Sequence, residues 1–412
     1  MTYKRILVTG TLTCRSDLHV GDGDLALQCE RDASASTPEP EISSPAQPSV
    51  RKSKVKIISL PPDVEKKEAQ QEKKTEGSYN TVCRDYKNRA YIPASTLRGS
   101  LASFLNQKTP FYQNLFGFAD EGTGDAAADR QAGLLRVYDA QLQDASTGAQ
   151  ERSALPGFSK KRHTFLRHGV SICPVSGTAE KGKLFCYELV PQGSVFTVQF
   201  QVESRNAALT EEKLAQLLAL SEQWNSEAAA IGSGVTKGYG RIQWKMERVE
   251  ALTQEEELYW LESDSLEPPS MISITDTVQP ADISSLLAEA TPLSFKLDIV
   301  PDGPFLINEP EYVKNKSFGP VGEFFPDLEF SRQGNQALIP SRSLAGVIRG
   351  RARRILATIA HQYYDVHEDT VGKRIQPLII AFFGSEQKKG ALRLTEAKGE
   401  AKVHIQNFIG AD

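Results

Sequence analysis

The chain has 412 residues, 40% of them hydrophobic and 24% charged, with a net charge of −4. This composition describes a soluble globular protein long enough for two domains with cores of their own. It excludes a membrane span, because no stretch of about 18 apolar residues occurs. The five cysteines are odd in number and lack Cys-x-x-Cys spacing, which excludes a zinc ribbon and fits reduced thiols in a cytoplasm.

Residues 3–13 are rich in β-branched side chains and read as a strand, not a signal peptide. A turn comes next at Gly21-Asp22-Gly23-Asp24. Residues 30–78 hold six prolines, many serines and nine acids against nine bases, which predicts a flexible insertion. Strand-like sequence resumes at 79–92 and leads into a helix at about 95–106. A Gly/Ala/Asp loop at 119–132 precedes a strand at 133–140, and a basic and polar excursion fills 150–187. Alternation at 194–203 predicts a strand, and helical spacing of Leu214, Leu217 and Leu218 predicts a helix over 209–223. A Gly-rich loop, Gly232-Ser-Gly-Val-Thr-Lys-Gly-Tyr-Gly240, leads into a strand to about 249.

Residues 251–290 carry nine acids and neither Lys nor Arg, which predicts an acidic linker and leaves the remaining chain net positive. A second strand is expected at 293–300, where Leu293, Phe295, Leu297 and Ile299 alternate. A helix starts after Pro340, with a core stripe expected at Leu344, Val347, Ile348, Ala352, Ile355, Leu356 and Ile359. The averaged charge conceals local basic stretches. Residues 338–356 hold five arginines, and residues 158–170 hold four Lys/Arg and two histidines; neither stretch contains an acid.

One pattern occurs twice. Ile92-Pro93-Ala94-Ser95-Thr96-Leu97-Arg98-Gly99 is matched by Ile339-Pro340-Ser341-Arg342-Ser343-Leu344-Ala345-Gly346. Downstream, Leu115-Phe116-Gly117 matches Phe382-Phe383-Gly384, and Gly133-x-Leu135-Arg136 matches Gly390-x-Leu392-Arg393. The order is preserved, which points to one unit used twice. In each copy Pro holds an extended segment that opens a helix, with Ser or Thr placed to cap it and to leave backbone N–H groups for an anion.

These motifs, with the Val170-Ser-Ile172 segment leading to Lys183-Leu184-Phe185 and the Gly-rich loop, resemble the RAMP superfamily of CRISPR-associated RNA-binding proteins. The chain is most similar to the backbone subunits of type III effectors that coat the CRISPR RNA, in a fused tandem form. The resemblance implies an α+β fold of two ferredoxin-like, RNA-recognition-module-like βαββαβ domains. The first would cover 1–250 with its insertion, and the second 291–412. That second domain stops where the first has Thr178–Phe196, its later helix and its Gly-rich loop, so truncation or completion by a partner is expected. The implied partners are CRISPR RNA, target RNA and other effector subunits, with no membrane.

The expected RNA contacts are Ser95, Arg98 and Gly99 at the first helix start; Lys160, Lys161, Arg162, His163 and Arg167 in the basic excursion, where the family places a thumb; Lys237, Gly238, Tyr239 and Arg241 in the Gly-rich loop; and Arg342, Ser343 and Arg349 at the second helix. Some relatives cut target RNA with a loop Asp and a divalent cation such as Mg2+. Asp327 is the best-placed candidate for both catalysis and metal binding, and Asp22 and Asp24 are alternatives. Two other readings stay open: metal-independent CRISPR RNA processing with His19, His163 or His168 as general base, and a structural assembly subunit without catalysis.

Overall fold

The computed structural model describes residues 2–27, 78–119, 130–143, 158–159, 161–173, 178–203, 209–263, 267, 269–288, 293–308, 329–333, 336–364, 368–385 and 387–400. Most of the expected insertion at 30–78 lies outside these residues, as do Lys160 and Asp327.

In chain order the first part comprises β1 (Thr2–Cys14), β2 (Gly21–Leu27), β3 (Ser78–Val82), β4 (Tyr91–Ile92), α1 (Ala94–Phe104), α2 (Pro110–Phe116), β5 (Gly117–Ala119), β6 (Arg130–Ala132), β7 (Leu135–Val137), β8 (Ala140–Leu142), β9 (Phe165–Ile172), β10 (Ala179–Leu189), β11 (Val195–Glu203), β12 (Leu209–Thr210), α3 (Glu211–Glu222) and β13 (Ile242–Thr253). The remainder comprises α4 (Gln254–Glu262), β14 (Ile272–Ser273), β15 (Arg332–Gln333), β16 (Gln336–Ile339), α5 (Ser341–Tyr364), α6 (Glu368–Phe383) and β17 (Ala397–Gly399).

The main sheet runs β14-β13-β1-β11-β8-β4, with β7 also on β11 and β12 on β1. Strand β1 pairs antiparallel with both β11 and β13. Helix α1 lies between β1 and β7/β8 in sequence, and α3 between β11 and β13. The order last–first–third–second, with a helix in each crossover, is the ferredoxin-like βαββαβ arrangement expected for the first part. Its core needs little explanation beyond alternation: Ile6, Val8 and Leu12 of β1 and Phe196, Val198 and Phe200 of β11 face α1 and α3, which bury Leu97, Leu101, Leu214, Leu217 and Leu218. Trp224 and Trp244 close one end, 5.3 Å apart in an edge-on contact.

A second sheet, β2-β3-β10-β9, forms a separate lobe. Glu188, fully buried on β10, gathers hydrogen bonds from the segments around β3 and β9. Its carboxylate accepts from Thr164 Oγ1 at 2.6 Å, Val82 N at 3.3 Å and the Arg84 guanidinium. The expected Gly-Asp turn at 21–24 is the start of β2.

Three expectations give way. Residues 251–290 are not a detached linker. They extend β13, form α4 behind a capping box of Thr253 and Glu256, pair β14 with β13, and bury Ile274, Val278 and Ile283 in the main core. Acid content alone misleads there because the apolar residues sit singly between the charges. Residues 293–300 join no sheet, and Leu293, Phe295 and Leu297 are 80%, 75% and 78% exposed. Alternation gives a strand its face, but a ladder also needs a neighbour. Third, the stripe on α5 is only partly a core face. Leu356, Ala357 and Ala360 pack on Val371 and Ile375 of α6, while Val347, Ile348, Ile355 and Ile359 stay exposed.

The repeated motif has the same backbone geometry in both copies. Thr96 and Leu97 N–H groups bond to the Pro93 carbonyl, and Ser343 and Leu344 N–H groups to the Pro340 carbonyl. Ile92 pairs with Ala140, and Ile339 with Ala397. Gly117 and Gly384 both sit at positive φ, 78° and 81°, against the backbones of Gly133 and Gly390, where a Cβ would lie 2.7 Å and 2.8 Å from the facing nitrogen.

The second copy is fastened to the first. Arg167 Nη1 lies 3.1 Å from Asp17 Oδ2 and 2.9 Å from Glu396 Oε1, with all three side chains nearly buried. Burial pushes the Asp17 carboxyl up, and Arg167 opposes that shift.

Two substitutions probe this packing. A Cβ at Gly10, in the middle of β1, would lie 2.4 Å from the Lys245 carbonyl oxygen and 2.5 Å from the Trp244 ring. Gly10→Ala should therefore cost about 1–3 kcal/mol in urea unfolding; an unchanged midpoint would mean that β1 and β13 separate freely. Arg167→Met strands two buried carboxylates and should cost about 3–5 kcal/mol at pH 7. Burial raises the Asp17 carboxyl above its unfolded value, so the folded state takes up that proton first. The deficit should shrink as pH falls through that raised range toward about 4, and a pH-independent deficit would contradict the ion-pair account.

Candidate nucleic-acid interface

The first helix start is capped from within the chain. Pro93 is the N-cap residue and brings no side-chain cap. The Ala94 N–H instead donates to Asp139 Oδ1 at 2.7 Å, so a carboxylate already occupies the anion position expected there. Ser95 and Gly99 lie on the open side of α1, Ser95 exposed and Gly99 with nothing near its Cβ position. Arg98 turns inward: Nη2 donates to the Phe116 carbonyl at 2.8 Å and the guanidinium sits 5.3 Å from the Phe116 ring centre. It closes the end of α2.

The second helix start is covered by the Gly-rich loop. Ser341 is buried and its hydroxyl donates to the Lys237 carbonyl. A Cβ on Gly238 would lie 2.8 Å from Ser341 Oγ and 2.5 Å from the Leu394 carbonyl oxygen. Close packing between the copies thus accounts for glycine there. Arg342 and Ser343 are half-buried at this contact. Arg349, further along α5, is half-buried beside Arg353; burial first, then the neighbouring guanidinium, pulls its pKa down.

Within the Gly-rich loop the residues divide by direction. Tyr239 is buried with Phe165 and Leu189, and burial pushes its phenol up. It is a core residue in this fold, not an exposed stacking face. Lys237 reaches over two rings, 5.6 Å from Phe185 and 5.3 Å from Tyr187. Arg241 pairs with Glu227 at 2.8 Å.

The basic excursion divides likewise. Arg162 is buried and donates to the Tyr79 hydroxyl at 2.8 Å, and Arg167 belongs to the inter-copy bridge. Both guanidiniums serve the fold because each finds an oxygen partner in the interior. Lys161 is exposed, and His163 turns the chain at φ 54° with its ring 6.4 Å from Phe158. Beyond them the β9–β10 hairpin presents Lys181 and Lys183 with exposed Val170 and Ile172. The sequence signal for Lys181 and Lys183 was their alternation along a strand, which puts both on one face.

Of the catalytic candidates, Asp22 is tied down locally: its Oδ1 accepts from the Thr81 hydroxyl at 2.5 Å and from the Asp24 N–H at 3.0 Å. Asp24 is exposed on the same turn. His19 is buried beneath it, with Nδ1 2.7 Å from the Glu188 carbonyl oxygen, and burial pulls its pKa down, which favours the neutral ring. His168 Nε2 lies 3.9 Å from Cys186 Sγ. Among the described residues no group of three or more His, Cys, Asp or Glu is placed to hold a metal ion, and no helix is long and apolar enough to cross a membrane.

No curated protein matches the chain. The family model of the RAMP superfamily matches residues 11–243, the span from β1 through the Gly-rich loop into β13, and this covers more than half of the sequence. Through that match the chain belongs to the RAMP superfamily, a family of CRISPR-associated RNA-binding proteins.

Proposed function

We propose that the chain is a guide-RNA-binding backbone subunit of a type III CRISPR effector, built on two copies of one RNA-binding frame. The observation that carries this reading is the repeat in register. The strand before each Pro pairs with the strand after each Gly-x-Leu-Arg, Ile92 with Ala140 and Ile339 with Ala397. A chain whose first frame belongs to an RNA-binding family and whose second frame repeats its geometry suits a ligand that is itself repetitive, such as a polynucleotide. Its partners would be CRISPR RNA, the target RNA paired to it, and neighbouring effector subunits.

Binding would run mainly through phosphates. The exposed cations Lys161, Lys181 and Lys183 lie on the projecting lobe. Affinity for CRISPR-repeat RNA should therefore fall with salt, with a log–log slope of about −0.7 per neutralised phosphate on a single strand. Lys161→Ala/Lys181→Ala/Lys183→Ala should flatten that slope by about 2 units and leave the thermal melt unchanged. Binding that is absent or independent of salt, measured by fluorescence anisotropy, would remove the reading.

Target cleavage, where it occurs, we assign to Asp327 with a divalent cation such as Mg2+. In the assembled effector, Asp327→Ala should leave guide binding intact and abolish the cut opposite the second copy. Survival of every cleavage product would remove Asp327 as a catalyst.

A further inference from the structure

We propose that residues 293–300 of two copies of this chain pair as antiparallel strands, Lys296 of each facing Asp298 of the other, over the exposed apolar face of α5. The contact needs no RNA and stands apart from the RNA-binding reading above.

The segment has the sequence of a strand without the neighbours of one. Leu293, Phe295, Leu297 and Ile299 fall on one side, and Ser294, Lys296, Asp298 and Val300 on the other. All of them are exposed. Pro292 and Pro301 flank the segment, and a residue without an N–H ends a ladder. In the first copy the opening strand β1 is paired on both edges, with β11 and with β13. The opening segment of the second copy joins no sheet among the described residues. An extended apolar segment with open edges is a template for a strand of another chain.

Charge selects the strand and its register. With Leu297 on a two-fold axis, Lys296 faces Asp298, Phe295 faces Ile299 and Ser294 faces Val300, and each pairing occurs twice. The two opposite-charge pairs flank the axis, and the apolar residues keep to one side of the ribbon. Among the described residues neither Lys296 nor Asp298 has an ion-pair partner in its own chain. A slip of two residues sets Lys296 on Lys296 or Asp298 on Asp298, and a parallel in-register pair does both. A slip of one sets the apolar side of one strand against the charged side of the other.

A two-stranded ribbon is marginal unless its apolar side packs on something. The repeat supplies that surface. In the first copy β1 lies over α1, where Leu97 and Leu101 are buried. On α5 the counterpart of Leu101 is Ile348, and it is exposed together with Val347, Ile355 and Ile359. The ribbon therefore covers in the second copy the helix face that the main sheet covers in the first.

Sedimentation velocity on the full chain, over a range of concentrations, tests this contact. The wild type should show a reversible monomer–dimer equilibrium. Lys296→Glu and Asp298→Lys should each weaken it about tenfold, because two attractive cross-strand pairs become repulsive. Mixed in equal amounts, the two variants should dimerise with each other as the wild type does, since each brings the charge the other lacks. High salt should narrow the gap between the wild type and either variant alone. Ile348→Asp should also weaken the dimer. These positions are exposed, so the melts of all variants should coincide. A wild type that stays monomeric at every concentration overturns the contact. Single charge variants that dimerise like the wild type, or a mixture that stays monomeric, overturn the register. A dimer indifferent to Ile348→Asp overturns the place of the ribbon on α5.

Discussion

The Arg167 guanidinium, buried between Asp17 and Glu396, is the contact on which the arrangement of the two motif copies depends. Asp17 belongs to the segment after β1, Arg167 to the projecting lobe and Glu396 to the second copy. One cation therefore ties three separate parts of the chain. An isolated buried charge would cost several kcal/mol, so the geometry persists only while both carboxylates stay in place. Ser341 on the Lys237 carbonyl and Lys398 on Gln192, at 3.0 Å, hold the same seam.

The two copies use equivalent positions for different ends. Asp139, ahead of Ala140, supplies the carboxylate that caps α1. Glu396 holds the equivalent place ahead of Ala397, and it binds Arg167 and Lys398 instead. At its helix start the Ser341 hydroxyl donates to the Lys237 carbonyl of the Gly-rich loop. The same frame thus stands alone in the first copy and leans on its neighbour in the second. The unequal burial of the helices agrees: Leu97 and Leu101 of α1 are fully buried under the main sheet, whereas Ile348 of α5, at the place equivalent to Leu101, is 37% exposed.

Basic residues divided in a way that composition does not show. Of the arginines singled out in the sequence, Arg98, Arg162 and Arg167 are spent on internal oxygens and rings. Lysines remain outside: Lys161, Lys181, Lys183, Lys388 and Lys389 are exposed. The planar guanidinium offers several donors in a fixed fork and tolerates burial between partners, while the ammonium is held in water by stronger hydration.

The sequence by itself determined the local frame: β1, the two Pro-started helices, the Leu-periodic α3, the alternating β11, and the repeated glycines Gly117 and Gly384, where positive φ and close backbone leave no room for a Cβ. These arise from periodicity and from the steric limits of Pro and Gly, which act within a few residues. Only the tertiary structure decided that the acidic 251–290 segment packs on the sheet, that 293–300 has no ladder partner, and that Tyr239, Arg162 and Arg167 face inward. It alone brought Lys388 and Lys389 opposite Gly232 and Thr236. Whether a polar side chain meets solvent or a buried partner depends on residues far away in sequence, and no local pattern carries that information.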